Sequence, residues 1–149
     1  MRHVLYILFF TLLFSACNKE KRFSKRLIKG DVWSITDLTV SDEAYGIKGS
    51  WLVEDIDIYD SVPSIQWEEN GQTTNFHWQF QNKGKTFEIV YKDPTCVNCS
   101  TPPEALDFQC YFLSGKYDVI VHKRDKMVFE SNSTIGFKGE KVKIRVDRK

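Results

Sequence analysis

Between Trp33 and Val146, apolar side chains recur at every second residue in one short run after another, and this period of two constrains the fold more than any other feature of the chain. Successive side chains point to opposite faces of a strand, whereas a helix needs spacings of three and four. Trp33-Ser34-Ile35-Thr36 opens the first run. Tyr45, Ile47, Trp51 and Val53 alternate in the next, loosened by Gly46 and Gly49, and Ile56 and Ile58 continue it one residue out of register, which predicts a bulge. Ile65 and Trp67 mark a third strand, ended by Asn70-Gly71, a pair suited to the positive φ angles of a tight hairpin turn. On the fourth, Phe76, Trp78 and Phe80 face one way and Asn75, His77 and Gln79 the other. Asn82-Lys83-Gly84 then turns the chain into Phe87, Ile89 and Tyr91. A loop rich in Pro, Thr, Ser and Cys follows from Lys92 to about Ala105. Phe108, Cys110 and Phe112 resume the alternation, so a strand is expected there. Ser114-Gly115 leads into Tyr117, Val119 and Val121, and the turn from His122 to Lys126 leads into Met127 and Phe129. Val142, Ile144 and Val146 close the pattern, with Lys143 and Arg145 outward.

About eight to ten short strands, each apolar on one face, must close or sandwich to hide their edges. Each consecutive pair reads as a hairpin and no βαβ rhythm appears, so the expected fold is all-β: an antiparallel up-and-down barrel of about eight strands over residues 31–149. Aromatic residues are 14% of the chain and supply large apolar area for a core. Ahead of the barrel, Phe23, Leu27 and Ile28 have helical spacing and Gly30 stops it, so residues 17–30 read as a tether passing into a short helix.

The chain opens on Met1-Arg2-His3 and an apolar run from Val4 to Phe14. Those 11 residues would rise roughly 17 Å as a helix, against about 30 Å of hydrocarbon in a bilayer. A basic start, a short apolar stretch and the small residues Ser15 and Ala16 make a cleavable secretory signal instead. Cys17, first after the cut, resembles the lipobox of bacterial lipoproteins. That resemblance implies removal of residues 1–16, a diacylglyceryl thioether on Cys17 and acylation of the new amino terminus, so that the acyl chains hold the protein on a membrane. Asn18 stands where an aspartate would retain a lipoprotein at the inner membrane, which points to the outer membrane. Lys19-Glu20 supplies only half of a Bacteroidetes-type surface-export signal before Lys21-Arg22 reverses the charge, so the periplasmic face is expected over the cell surface.

Three stretches carry a wider resemblance. They are Leu27-Ile28-Lys29-Gly30-Asp31-Val32-Trp33-Ser34-Ile35, then Phe76-His77-Trp78-Gln79-Phe80 with its glycine turn, then Gly115-Lys116-Tyr117-Asp118-Val119 followed by Met127-Val128-Phe129 and a final strand of alternating basic residues. Together they resemble a Bacteroidetes lipocalin-like lipoprotein over most of residues 25–148. The resemblance implies a small eight-stranded barrel with one end open toward an apolar ligand, and no established activity. The residues expected to line such a cavity are Trp33, Trp51, Trp67, Phe76, Trp78, Phe80, Phe87, Tyr117 and Phe129. A carrier requires a dry, aromatic-lined cavity. A module that binds another envelope protein instead requires a filled barrel with an exposed apolar patch.

Cys96-Val97-Asn98-Cys99, with Cys110 further on, is the one constellation with metal-like spacing. A Cys-x-x-Cys knuckle can place two thiolates on a zinc ion, with Cys110 and His77 or His122 completing the set. The competing readings are a disulfide in an oxidising envelope, and for Cys110 a buried core thiol between Phe108 and Phe112. Glu54, Asp55, Asp57 and Asp60 form an acidic cluster, but it lacks the glycine and the last glutamate of a calcium loop, and the alternation with Ile56 and Ile58 makes it the wet face of a strand. Asp60-Ser61-Val62 resembles the short site that Bacteroidetes O-glycosylate, and His77 reads as a surface histidine. No Ser-His-Asp order, glycine-rich phosphate loop or His-Glu-x-x-His occurs, so a non-catalytic domain without a cofactor is expected. Lys and Arg number 21 against 20 Asp and Glu, and loss of Arg2 with the leader leaves a neutral protein without the field that attracts nucleic acid. The basic stretch Lys19 to Lys29 sits beside the anchor, as a solvated tether near anionic headgroups would. The expected partners are therefore the membrane, through the anchor, and a small apolar ligand or an envelope protein.

Overall fold

The alternating runs pair as successive hairpins, and the last strand returns to the first. The computed structural model describes residues 19–54, 63–91 and 106–149. Its strands are β1 (Val32–Val40), β2 (Glu43–Ala44), β3 (Ser50–Glu54), β4 (Ser64–Glu69), β5 (Gln72–Gln81), β6 (Thr86–Val90), β7 (Gly115–His122), β8 (Lys126–Ser133) and β9 (Lys138–Arg148). All ladders are antiparallel, and β1 pairs with β3 on one side and with β9 on the other. An eight-stranded up-and-down barrel is thereby closed, with the two-residue β2 folded back on the end of β1. This is the up-and-down barrel the alternation predicts, and it fits the lipocalin-like barrel the resemblance implies. Closure leaves no long free edge, which removes the aggregation hazard of so many short strands.

Local chemistry fixes the register. Asn70 and Gly71 take φ of 52° and 79°, the left-handed pair of a type I′ turn, and set Glu69 opposite Gln72. From that register, Thr74, Phe76, Trp78 and Phe80 of β5 point inward and are buried. Val142, Ile144 and Val146 do the same on β9, while Lys143 bonds Asp37 at 2.8 Å on the outer wall. Bulges between Val119 and Val121 and between Ser131 and Ser133 adjust the coil of the closing strands.

Two α-helices and a 3-10 turn, Asn82–Gly84, complete the described residues. α1 runs over 19–28, and α2 is Leu106–Phe112. α2 corrects the strand expected from Phe108, Cys110 and Phe112. The residues that bury are Leu106, Cys110 and Leu113, spaced by four and three, which is the helical period, while Phe108 and Phe112 are only half-buried. Tyr45 and Ile47 are also not in a strand: they lie between β2 and β3. Cys17, the positions Ile56 and Ile58 of the expected bulge, Asp55, Asp57 and Asp60 of the acidic cluster, Ser61, Cys96 and Cys99 all lie outside the described residues.

Candidate functional site

The ends of the barrel are named here from their turns. The lower end carries the β5–β6 and β7–β8 turns, and the upper end the β4–β5 and β8–β9 connections. α1 lies across the lower end. Its Leu27 is fully buried, and the Leu27 carbonyl accepts a bond from Trp33 Nε1 at 2.9 Å. Gly30 makes this approach feasible, since a Cβ there would lie 2.2 Å from Trp33 Nε1. Phe23 stacks on His122 with centroids 3.7 Å apart and planes 7° apart, and meets Phe80 edge-on at 5.7 Å. Arg26 contacts the same histidine, 3.4 Å from Nδ1 and 3.3 Å from its carbonyl oxygen. Burial, then the Arg26 charge, lowers the His122 pKa to about 4, so the ring is neutral at neutral pH.

α2 lies across the upper end. Its Leu106 N–H donates to Gln72 Oε1 at 3.2 Å, Tyr91 donates to Asp107 at 2.9 Å, and Tyr45 donates to Gln109. The Gly136 N–H donates to the Phe112 carbonyl at 2.9 Å and ties the helix to the β8–β9 connection. A polar recess of about 260 Å³ remains beside it, lined by Gly46, Ile47, Glu69, Asn70, Gln72 and Leu106.

Between the two helices the axis is occupied by rings. Trp51 meets Phe76 edge-on at 5.4 Å and Trp67 at 6.1 Å, and stacks at 6.4 Å on both Phe87 and Phe129. Phe87 and Phe129 are themselves stacked at 4.4 Å. All nine aromatics proposed as cavity lining face this interior: Trp33, Trp51, Trp67, Phe76, Trp78, Phe80, Phe87, Tyr117 and Phe129 are each buried, Phe80 the most exposed at 7%. Seven of them form one connected set of ring contacts, and the other two, Trp33 and Tyr117, donate to the Leu27 and Leu113 carbonyls. Trp51 Nε1, buried in this cluster, has no hydrogen-bond partner among the described residues.

A cavity of about 310 Å³ opens on the lower wall, lined by Ser24, Pro63, His77, Trp78, Gln79, Phe80 and Val90. Its origin is a mismatch of strand lengths. The β4–β5 ladder reaches Ser64 opposite His77 and ends with the Trp78 N–H on the Pro63 carbonyl at 3.2 Å. Proline has no N–H with which to continue. Among the described residues, β5 runs on to Gln81 with a partner in β6 alone. Val90, 43% exposed, stands at the rim beside His77, its partner in the β5–β6 ladder. The other large exposed apolar residues, Leu52, Ile120 and Ile135, are not among the residues of this cavity.

The thiol and metal constellation is not assembled among the described residues. Cys110 is a free, fully buried cysteine on α2, at the upper end, whereas His122 is held against α1 at the lower end. They cannot share an ion, which corrects the set that paired Cys110 with His122. Burial, reinforced by Asp107, pushes the Cys110 thiol well above its ordinary pKa, so it is neither a ready nucleophile nor a ready ligand. Among the described residues no group of three His, Cys, Asp or Glu side chains is placed to hold a metal. Glu54, the described member of the acidic cluster, accepts a bond from Ser64 Oγ at 3.0 Å on the outer wall. No helix of the described residues is long and apolar enough to cross a membrane.

No protein-family model, no curated protein and no solved structure matches the chain.

Sequence reasoning missed the wall cavity and the helix over the upper end. Pro63 was the readable signal for the first, since a proline before a strand marks where its ladder stops. The spacing of Leu106, Cys110 and Leu113 was the signal for the second.

Proposed function

We propose that this chain is a lipid-anchored protein of a bacterial cell envelope, of the Bacteroidetes lipocalin-like lipoprotein kind. Its barrel serves as a non-catalytic binding module that takes a small apolar group at its lower wall rather than in its lumen. The observation that carries the second statement is the column of Trp51, Phe87 and Phe129 on the barrel axis. An apolar ligand in the lumen would have to displace rings that already satisfy one another. The wall cavity needs no such repacking. At about 310 Å³ it is at the small end for a ligand site. It suits a single ring, a short acyl segment or one apolar side chain of a partner protein. The leader, Ser15, Ala16 and Cys17 support the anchor, Asn18 supports the outer membrane, and the incomplete export signal at Lys19-Glu20 favours the periplasmic face.

Two measurements test this reading. Labelled palmitate should enter the native chain and leave it on Cys17→Ser, which should also move the protein from the detergent to the aqueous phase. Incorporation unchanged by that substitution removes the anchor. Native mass spectrometry of protein from its own membrane should show a small bound molecule or a co-purifying protein, lost on Val90→Arg. Retention of the molecule by Val90→Arg removes the wall site.

A further inference from the structure

Cations gather at the lower end from four stretches far apart in sequence. α1 exposes Lys21, Arg22 and Lys25, and Lys29 is exposed directly after it. The β5–β6 turn adds exposed Lys83 and Lys85, and it is held to α1 by the Lys83 N–H, which donates to Glu20 at 2.6 Å. The β7–β8 turn adds exposed Lys123 and Arg124, and Arg26 ties that turn to the same helix through the His122 carbonyl. Arg148 donates to the Lys29 carbonyl at 3.0 Å, and the Lys149 N–H to the Val32 carbonyl at 3.1 Å, which brings the end of β9 to the same face. The described acids at this end are fewer: Glu20, Asp31, Glu54, Asp125 and Asp147, the last opposite Lys126 and bound to Arg145. Even if Asp55, Asp57 and Asp60, which follow β3 in the sequence and lie outside the described residues, are all set against them, the cations remain in excess. At the upper end the described acids outnumber the cations, Asp42, Glu43, Glu68, Glu69, Asp107 and Glu140 against Lys48, Lys138 and Lys141. The whole chain has 21 cations and 20 anions, yet among the described residues the two signs are unevenly shared between the barrel's ends.

From this separation we infer that the lower end is a docking face for an anionic lipid surface, holding the barrel upright with α2 directed away from the bilayer. Charge complementarity supports it, because exposed Lys and Arg on long stems reach headgroups without undoing the fold. The place where the chain leaves the barrel supports it too, since the first described residue, Lys19, is two positions from Cys17. That second argument rests on the proposed anchor, whereas the attraction itself does not need one.

The test therefore uses a chain that begins at residue 18 and lacks the lipidated cysteine. The closed ladder and both helices lie within 19–149, so this chain retains the folded unit, which circular dichroism and a cooperative melt verify. Sedimentation with vesicles of phosphatidylglycerol in phosphatidylcholine, and of phosphatidylcholine alone, gives the partition coefficients. Each basic residue near an anionic surface contributes about fivefold. Binding to the anionic vesicles should exceed binding to neutral ones at least about tenfold in about 50 mM NaCl and nearly vanish in about 500 mM, where the Debye length is only about 4 Å. Arg124→Glu with Lys149→Glu should lower it at least about tenfold. Asp42→Lys with Glu43→Lys, at the other end, should not lower it. Equal binding to both vesicles, or indifference to the Arg124 and Lys149 reversal, overturns the inference, and so does binding of a duplex oligonucleotide as tight as that of the vesicles. Because Cys17 is absent from this chain, failure here leaves the anchor untouched, and loss of the anchor leaves this result standing.

Discussion

Phe129→Ala is the substitution that most sharply separates a filled barrel from a hollow one. Phe129 is fully buried on β8 and stacks on Phe87 at 4.4 Å and on Trp51 at 6.4 Å. Losing the burial of its ring costs about 2 kcal/mol of transfer free energy. The truncation also opens a cavity on the order of 100 Å³ among rings locked by a closed ladder, which adds up to about 2 kcal/mol at the usual cost per unit volume. The expected loss is therefore about 4 kcal/mol, a large part of the stability of a domain this size. Urea unfolding followed by far-ultraviolet circular dichroism measures it, with the slope expected to stay within error of the parent. Phe129→Leu, which keeps most of the volume, should lose less than half as much. Leu52→Ala, on the outer wall at 40% exposure, should cost well under 1 kcal/mol. If Phe129 instead lined an open ligand cavity, truncation would merely enlarge a void already present. A loss below about 1.5 kcal/mol, with Phe129→Ala as stable as Phe129→Leu, would refute the reasoning.

Three further outcomes follow from the two helices. Folding holds the His122 pKa at about 4, below its ordinary 6.5, so on acidification the unfolded chain takes up the proton first. The stability contributed by the neutral ring is complete above about pH 6.5 and is lost as pH falls toward about 4; with the ring only half-buried, solvent screening reduces this to about 1–2 kcal/mol. Urea midpoints of the parent and of His122→Gln at the two pH values should show this loss in the parent alone, and parallel pH dependences would remove the assignment. Gly30→Ala should cost about 1–3 kcal/mol by driving a Cβ into the Trp33 ring and loosening α1, read as a lower midpoint, whereas an unchanged midpoint would contradict the packing described there. The buried Cys110 thiol should react with an aromatic disulfide reagent far more slowly in the native protein than in denaturant, as mapped by peptide mass, and equal rates would place it at the surface.

Most of the barrel was legible because a closed sheet imposes a strict two-residue period, which Phe76, Trp78 and Phe80 or Val142, Ile144 and Val146 display without interruption. Asn70-Gly71 was legible because few pairs accept two positive φ angles. The stretch from Leu106 to Phe112 was misread for a physical reason. In a short segment, residues at i, i+2 and i+4 satisfy a strand, yet i and i+4 also share a helical face, and seven residues give too few repeats to decide. Only packing decides there: Leu106, Cys110 and Leu113 reach the interior, and Phe108 and Phe112 remain at its margin. The site was less legible than the fold. A list of inward aromatics is the same for a ligand cavity and for a solid core, because alternation reports the face and not the distance across the barrel. The stack of Phe23 on His122 joins residues 99 apart in sequence and has no local signature. The same is true of the lower-end cations, which are scattered along the chain and meet only when α1 crosses the barrel.

The claim on which the account turns is that small apolar groups enter at the wall beside Val90 and not along the axis. Nuclear magnetic resonance of the labelled protein titrated with a small apolar probe such as benzene tests it directly. Intermolecular contacts and shift changes should concentrate at Ser24, His77, Gln79 and Val90, with the ring protons of Phe87 and Phe129 unmoved. Contacts from the probe to Phe87 and Phe129, with Val90 silent, would contradict it.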